Sequence, residues 1–348
     1  MNLRGKDLIC TQDWNIDELM TILNTAIQMK MDRYNSIWSN ILKNKSFLMM
    51  FYSPSVRTHL SFVTAVTELG GHAEYLAPDK MSKMLSKTNP GETIEDAAKV
   101  MSNFMCGIGI RIMESALSKY GDGHNMIREY AQYASVPVIN MADDVCHPCQ
   151  SLSDIMGWAE WFSGGLERID FSCLKNKKLL ITWAKGAMAR SLNSPQGNIL
   201  LSSRMGLDIT VARPHGYDFD PIIMKKVKEN CNHSGGSLNI IDNPIAGYDK
   251  ADIVYARNWV SDKAYVDGFF NKDAEIKLAM KHTGWTTTSD KMKATNDAIF
   301  THPMPIDREN EVENSVASSE NSVIYNVASN RLYVQKSIIA HTMGAFGE

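Results

Sequence analysis

Cysteine is scarce in this chain of 348 residues: Cys10, Cys106, Cys146, Cys149, Cys173 and Cys231 are scattered over its length. Six are too few for the disulfide framework of a secreted scaffold, and their spread fits a reducing compartment. Long apolar runs are missing as well. No stretch approaches the roughly 18 apolar residues a membrane span needs, and the opening MNLRGKDLICTQDW lacks an uninterrupted apolar segment, so a cytoplasmic protein is expected. There is no basic excess: 36 Lys and Arg face 39 Asp and Glu, a net charge of -3 spread along the chain, which argues against a nucleic-acid partner. No internal repeat or low-complexity segment is visible. Cys146 and Cys149 have no second ligand pair at suitable spacing, so no metal site is expected.

What is present is the composition of a soluble globular protein, 44% hydrophobic and 22% charged, long enough for two domains that each bury a core. Helical spacing from Trp14 to Met31 is followed by the short apolar run KSFLMMFYSPS. The same rhythm returns at AEYLA from Ala73, GIGIRIM from Gly107, VPVINM from Val136, KLLITWA from Lys178, LDITVARP from Leu207 and ADIVYARNW from Ala251. Strands alternating with helices predict an α/β fold with a mainly parallel, doubly wound sheet, built twice. Ligands in such sheets sit at the carboxyl ends of the strands. Helical stretches at Gln150 to Phe162 and Asn330 to Met343 lie where the chain changes domain, and the division falls near residue 150. Lys80 to Pro90 reads as a polar, irregular loop.

The densest chemical signal is SPSVRTHLSF, Ser53 to Phe62, which follows the first strand and should open a helix. Backbone N–H groups at a helix start, the hydroxyls of Ser55 and Thr58 and the fork of Arg57 can cradle a phosphate dianion. A Ser N-cap beside a solvated Arg is the plainer reading. The second signal is HPCQ, His147 to Gln150, between a strand and a helix: His147 can donate to a carbonyl oxygen that gains charge, and the Gln150 amide oxygen can accept from a substrate NH2. A structural His is the alternative, and Cys146 with Cys149 also spells the C-x-x-C of a thiol oxidoreductase. The third signal is HPMPIDRENEV, His302 to Val312, which offers backbone carbonyls near Met304 and the guanidinium of Arg308, or else a Pro-rich surface loop.

Together the three segments resemble the aspartate/ornithine carbamoyltransferase family over nearly the whole chain. The resemblance implies an enzyme without cofactor that moves the carbamoyl group of carbamoyl phosphate to an amine, in amino-acid biosynthesis and arginine metabolism. It implies a carbamoyl-phosphate domain at 1–149, with a C-terminal helix, 330–348, packing back on it, and an acceptor domain at 150–329. Ser55, Val56, Arg57 and Thr58 are then the phosphate cradle, and Arg111, His147, Gln150, Met304 and Arg308 surround the carbamoyl group, with Arg57, Thr58, Arg111, His147 and Arg308 stabilising the transition state. Position 59, usually Arg in the family, is His59. Family members form homotrimers with shared sites, and SKTNPGETIEDAAKV resembles the end of the shared loop, which makes Lys87, with Ser82 or Ser86, the residue reaching a neighbour, or else a solvated Lys.

Within the family the chain is similar to the N-acylornithine branch in SGGSL, ADIVYARNW, NRLYVQKSIIA and the stretch from Trp183 to SSRMGLD. That likeness implies a trefoil-type knot in the second domain. The acceptor positions nonetheless depart from every branch. Where ornithine enzymes carry an Asp for the free α-amino group and a Ser-Met-Gly turn, this chain has Asn258 and Ser261-Asp262-Lys263, and their Cys is Pro303 here. Arg257 replaces the Lys of the N-acylornithine enzymes and can clamp a carboxylate. Asp143 or Asp144 can hold an ammonium or accept an amide N–H, and either can equally cap a turn. Ornithine, aspartate and diamines remain alternative acceptors. A thiol oxidoreductase and a non-catalytic carbamoyl-phosphate binder remain alternative classes.

Overall fold

The computed structural model describes residues 2–78 and 92–344. The chain forms two compact units, one of Met1–Leu152 with Asn330–Glu348, the other of Ser153–Ser329.

In the first unit the helix Ile16–Met31 starts at a reciprocal cap: Asn15 Oδ1 accepts from the Glu18 N–H, and Glu18 Oε2 accepts from the Asn15 N–H, both at 2.9 Å. Leu19, Ile22, Leu23, Ala26 and Met29, one helical stripe, are buried. Strands β1 (Ser46–Phe51), β2 (His72–Leu76), β3 (Gly107–Arg111) and β4 (Val138–Ala142) form a parallel sheet in the order β2-β1-β3-β4. Leu8 extends the outer edge of β4 by a bridge to Ile139. The final helix, Ile324–Met343, is anchored in this unit by its C-terminal part: Ser337 Oγ donates to the Ile22 carbonyl at 2.8 Å, and the buried Lys336 ammonium lies 3.1 Å from Glu68.

The second unit holds five parallel strands, β5 (Lys178–Trp183), β6 (Asp208–Ala212), β7 (Ser237–Ile241), β8 (Ile253–Arg257) and, after a small hairpin of β9 (Tyr265–Val266) and β10 (Phe269–Phe270), β11 (Ile299–Thr301). Their order is β11-β8-β5-β6-β7. The helix Asn193–Arg204 is buried along nearly its whole length although its sequence opens NSPQGN. Its polar groups are paired inside: Asn198 Nδ2 donates to Asp154 at 2.9 Å, and Gln196 Oε1 accepts from the Asp220 N–H at 2.8 Å.

The chain is thus α/β with two parallel sheets, and each sheet reverses its winding once. In the first unit β2 and β3 flank β1; in the second, β6 and β8 flank β5. The loops after β1 and β3, and after β5 and β8, therefore splay apart at the carboxyl ends of adjacent strands and open a crevice there. Strand β7 is missing from the sequence reading because it is a sheet edge: Ser237, Asn239 and Ile240 are exposed, so it has no continuous apolar run.

Candidate active site

At the end of β1 the chain turns through Ser53, Pro54 and Ser55 into the helix Val56–Glu68. Ser55 is its N-cap: Oγ accepts from the Thr58 N–H at 3.3 Å and donates to Thr58 Oγ1 at 3.0 Å. Thr58 is fully buried, and its hydroxyl also accepts from Arg331 Nη2, at 3.1 Å, on the last helix. A helix start carrying partial positive charge thus meets a buried guanidinium, while Arg57 in the first turn is exposed. Ser53 Oγ accepts from the Met113 N–H at 3.1 Å and the Arg111 carbonyl from the Tyr52 N–H at 2.9 Å, which ties this turn to the end of β3 and to Arg111.

The loop after β4 supplies His147, and the first turn of the helix Pro148–Phe162 that follows supplies Gln150; both are buried. Asp143 organises the loop. Its Oδ1 accepts the N–H groups of Val145 and Cys146 at 2.8 and 2.5 Å, while Oδ2 takes Asn140 Nδ2 at 2.8 Å and faces His124 Nδ1 at 2.7 Å. Asp144 accepts from the Gly121 and His124 N–H groups at 2.5 and 3.1 Å, and burial beside Asp143 pushes its carboxyl up to about 7. Both acids are spent on holding the loop. Of the two roles read for them, the turn-holding one fits, and binding an acceptor does not, because their oxygens already face internal donors.

In the second unit four segments converge on Glu311, which is completely buried. Oε1 accepts the Asn258 N–H at 2.7 Å; Oε2 accepts the Asp307 N–H at 2.7 Å and lies 3.2 Å from His302 Nε2 and 3.6 Å from Arg190 Nη2. His302 Nδ1 accepts from the Met304 N–H at 2.9 Å, so the ring proton sits on Nε2 and points at Glu311. Burial keeps His302 below its ordinary range, against the opposing pull of Glu311. Burial alone would favour a neutral Glu311, but His302, by its charge and its hydrogen bond, and after it Arg190 and Arg257, hold its carboxyl at about 2. Arg257, at the end of β8, is buried, and its Nε and Nη1 meet no hydrogen-bond partner.

The match to known families decides what these two sets of residues belong to. Residues 6–160 match the model of the aspartate/ornithine carbamoyltransferase carbamoyl-P binding domain, and residues 176–342 that of the Asp/Orn binding domain. The chain belongs to the aspartate/ornithine carbamoyltransferase family. It is a transferase. It is 33% identical to an ornithine carbamoyltransferase of Pyrococcus abyssi over 99% of this chain and 98% of that one. It is 31% identical to an N-acetylornithine carbamoyltransferase of Xanthomonas campestris pv. campestris over 97% of this chain and 98% of that one. A crystal structure of acetylornithine transcarbamylase complexed with acetylcitrulline superposes with a TM-score of 0.86 at 29% identity, covering 97% of this chain and 99% of that one.

Against this family pattern, the structure brings Ser55, Val56, Arg57 and Thr58 together at one helix start, with Arg111 at the end of β3, His147 on the loop after β4 and Gln150 in the first turn of the helix Pro148–Phe162, all in the same unit. Lys87, Ser82 and Ser86 lie outside the described residues. Arg308 stands apart from the residues around Glu311: its Nη1 donates to Asn314 Oδ1 at 3.1 Å and to Ser318 Oγ at 2.9 Å within its own loop. Asn258 Nδ2 donates to the Ala184 carbonyl at 3.1 Å, and the Ser261 N–H and hydroxyl both donate to buried Glu275 at 2.7 Å, so these two side chains fix their loop. Pro303 is buried. His59 fills the family's Arg position by packing on Tyr75 and Phe51, ring centroids 5.0 and 6.1 Å away. Arg190, Glu311 and Arg331 were not singled out in the sequence. Glu311 and Arg331 lay within quoted phrases, HPMPIDRENEV and NRLYVQKSIIA, and only their burial distinguishes them.

The C-x-x-C reading fails on geometry. The Cys149 sulfur points at the Asn140 carbonyl, 3.9 Å away, and burial pushes its thiol up to about 12. An exchange enzyme needs an exposed thiolate. Among the described residues no group of three or more side chains could hold a metal ion, and no helix is long and apolar enough to cross a membrane.

Proposed function

We propose that this carbamoyltransferase holds carbamoyl phosphate in its first unit and an N-acylated ornithine in its second. The observation that carries the reading is the helix start at Ser55, where a buried Thr58 is shared by a Ser cap and a guanidinium. The N–H groups of Val56 to Thr58, the Ser55 and Thr58 hydroxyls and Arg57 would take the phosphate oxygens. Arg111 and His147 would face the carbonyl oxygen, and Gln150 the carbamoyl NH2. We leave Arg308 out, because its guanidinium is engaged by Asn314 and Ser318, and assign Arg331 to the carbamoyl phosphate instead.

The acceptor amine attacks the carbonyl carbon, and the carbonyl oxygen gains negative charge that the fixed cations stabilise. Each well-placed donor contributes on the order of 3 kcal/mol to such a step. The carbon–oxygen bond to phosphate then breaks, and the leaving phosphate takes the proton released by the amine. A ureido product and inorganic phosphate result.

Arg257 brings a buried guanidinium whose Nε and Nη1 a carboxylate would satisfy, and the Met304 carbonyl would accept an N–H. The position where a free α-ammonium would need an acid holds Asn258, neutral and already donating to Ala184. Relatives of similar identity carry either the ornithine or the N-acetylornithine name, so overall likeness does not choose between them. The neutral Asn258 favours an acceptor whose α-nitrogen is acylated. In a comparison of N-acetylornithine, N-succinylornithine, ornithine, aspartate, putrescine, lysine and diaminopropionate, an N-acylornithine should exceed ornithine in kcat/KM by about tenfold or more, the ~1.4 kcal/mol scale of one lost ion pair. Ornithine turning over as fast as the best acylated acceptor would overturn this reading.

A homotrimer with Lys87 reaching a neighbouring site belongs to the same proposal. Its support on the first unit is apolar: Val56 and Leu60, one turn apart on a helix, are 74% and 60% exposed, and Phe104 is 72% exposed.

A further inference from the structure

The thiol that C-x-x-C spacing assigns to Cys149 has a different partner. Cys146 Sγ donates to Cys10 Sγ across 3.2 Å, inside the first unit, with Cys146 buried and Cys10 6% exposed. A disulfide bond measures about 2.05 Å, so the two sulfurs lie about 1.2 Å from bonding distance. Cys10 ends the segment that Leu8 pairs to β4, and Cys146 immediately precedes His147. Asn140 Nδ2 clamps the two together by donating to the Ile9 carbonyl and to Asp143 Oδ2, both at 2.8 Å.

Charged groups crowd the pair. Asp13 Oδ2 accepts the Cys10 N–H at 2.9 Å, and its other oxygen pairs with Arg128 Nη2 at 2.9 Å. Arg128 Nε donates to His124 Nε2 at 3.2 Å, and His124 Nδ1 faces Asp143. The hydrogen bond from Cys146 holds the Cys10 thiol below its ordinary range and pushes Cys146 above it. The hydrogen bond thus distinguishes the two sulfurs, Cys10 as acceptor and Cys146 as proton-bearing donor.

We propose that Cys10 and Cys146 are an oxidation site, at which a hydroperoxide forms a disulfide that displaces the His147 loop and lowers carbamoyl transfer. The Cys10 thiolate attacks one peroxide oxygen; the O–O bond breaks and, after protonation, one water leaves from hydrogen peroxide and a sulfenic acid remains. The Cys146 sulfur then attacks the sulfenic sulfur; the S–O bond breaks, the second water leaves with the Cys146 proton, and the S–S bond forms. Two thiols are oxidised by two electrons and the peroxide is reduced by two. A hydroperoxide is small enough for a site that excludes protein thiols. Closing about 1.2 Å at the residue before His147 is a displacement of the size that costs oriented catalysis up to about a hundredfold.

The loss of activity rests on the proposed role of His147; the bond itself does not. The full-length enzyme is treated with hydrogen peroxide, remaining thiols are alkylated, and peptides are read by mass spectrometry, with carbamoyl transfer assayed before and after dithiothreitol. The expected result is a Cys10–Cys146 linked peptide, a fall in kcat of about tenfold or more, and recovery on reduction. Cys10→Ala and, separately, Cys146→Val should keep basal transfer and resist the peroxide. No linked peptide, a linked peptide with undiminished activity, or equal inactivation of either variant would overturn the proposal. Absence of transfer in the untreated enzyme would count instead against the proposed function.

Discussion

Arg57→Ala should lower kcat/KM for carbamoyl phosphate by about a thousandfold, roughly 4 kcal/mol of transition-state stabilisation, while leaving the fold intact. Arg57 is exposed in the first turn of the helix Val56–Glu68, so little packing is lost with it, and surface substitutions of that kind stay within about 0.5 kcal/mol in stability. Arg57→Lys keeps the charge but not the planar fork, and should still lose about a hundredfold. Steady-state kinetics with varied carbamoyl phosphate, beside a denaturant midpoint equal to that of the wild type, would establish both. A Lys variant within about threefold of wild type would remove Arg57 from the phosphate cradle.

Glu311→Ala should destabilise the second unit by about 3–5 kcal/mol, the usual consequence of stripping the partner from buried charge. Arg190 would lose the carboxylate it pairs with, and the Asn258 and Asp307 N–H groups would lose their acceptor. Glu311→Gln keeps an acceptor oxygen and should lose less. The pH dependence has a definite sign. An unfolded glutamate titrates near 4.5, whereas the folded-state carboxyl is held at about 2. The folded state therefore gains from ionisation above about 4.5, and that gain is lost as pH falls from there toward 2. Urea midpoints of the wild type should drop across this window, and those of Glu311→Gln should drop less. An Ala variant within about 1 kcal/mol of wild type would mean that Glu311 does not balance the two guanidiniums.

How much of this was legible beforehand depended on whether the signal was local. Strands β1, β3, β4, β5, β6 and β8 announce themselves as apolar runs because both their faces are covered. The Ser55 cap was legible for the same reason, since a cap and its N–H partner lie three residues apart. Convergence was not legible. Glu311 meets Arg190 from 121 positions away and Thr58 meets Arg331 from 273, and at the level of sequence each is one charge among many. Spacing misled where it was taken as pairing: Cys146 and Cys149 are neighbours in the chain, but the turn that Asp143 holds sends the Cys146 sulfur toward Cys10. Asp143 and Asp144 read equally as acceptor ligands or turn caps, and their burial and N–H partners fit the caps. For Arg308 the decisive fact was likewise its partners, Asn314 and Ser318, six and ten residues on.

The most direct test of the central claim follows one carbon atom. Carbamoyl phosphate labelled with carbon-13 at its carbonyl is incubated with the enzyme and N-acetylornithine, and carbon-13 and phosphorus-31 spectra are recorded together. The expected result is transfer of the label into a ureido carbon of the acceptor with an equal amount of inorganic phosphate, abolished in Arg57→Ala. Phosphate appearing without a labelled ureido product for any amine offered, or no phosphate above the uncatalysed rate, would contradict the account.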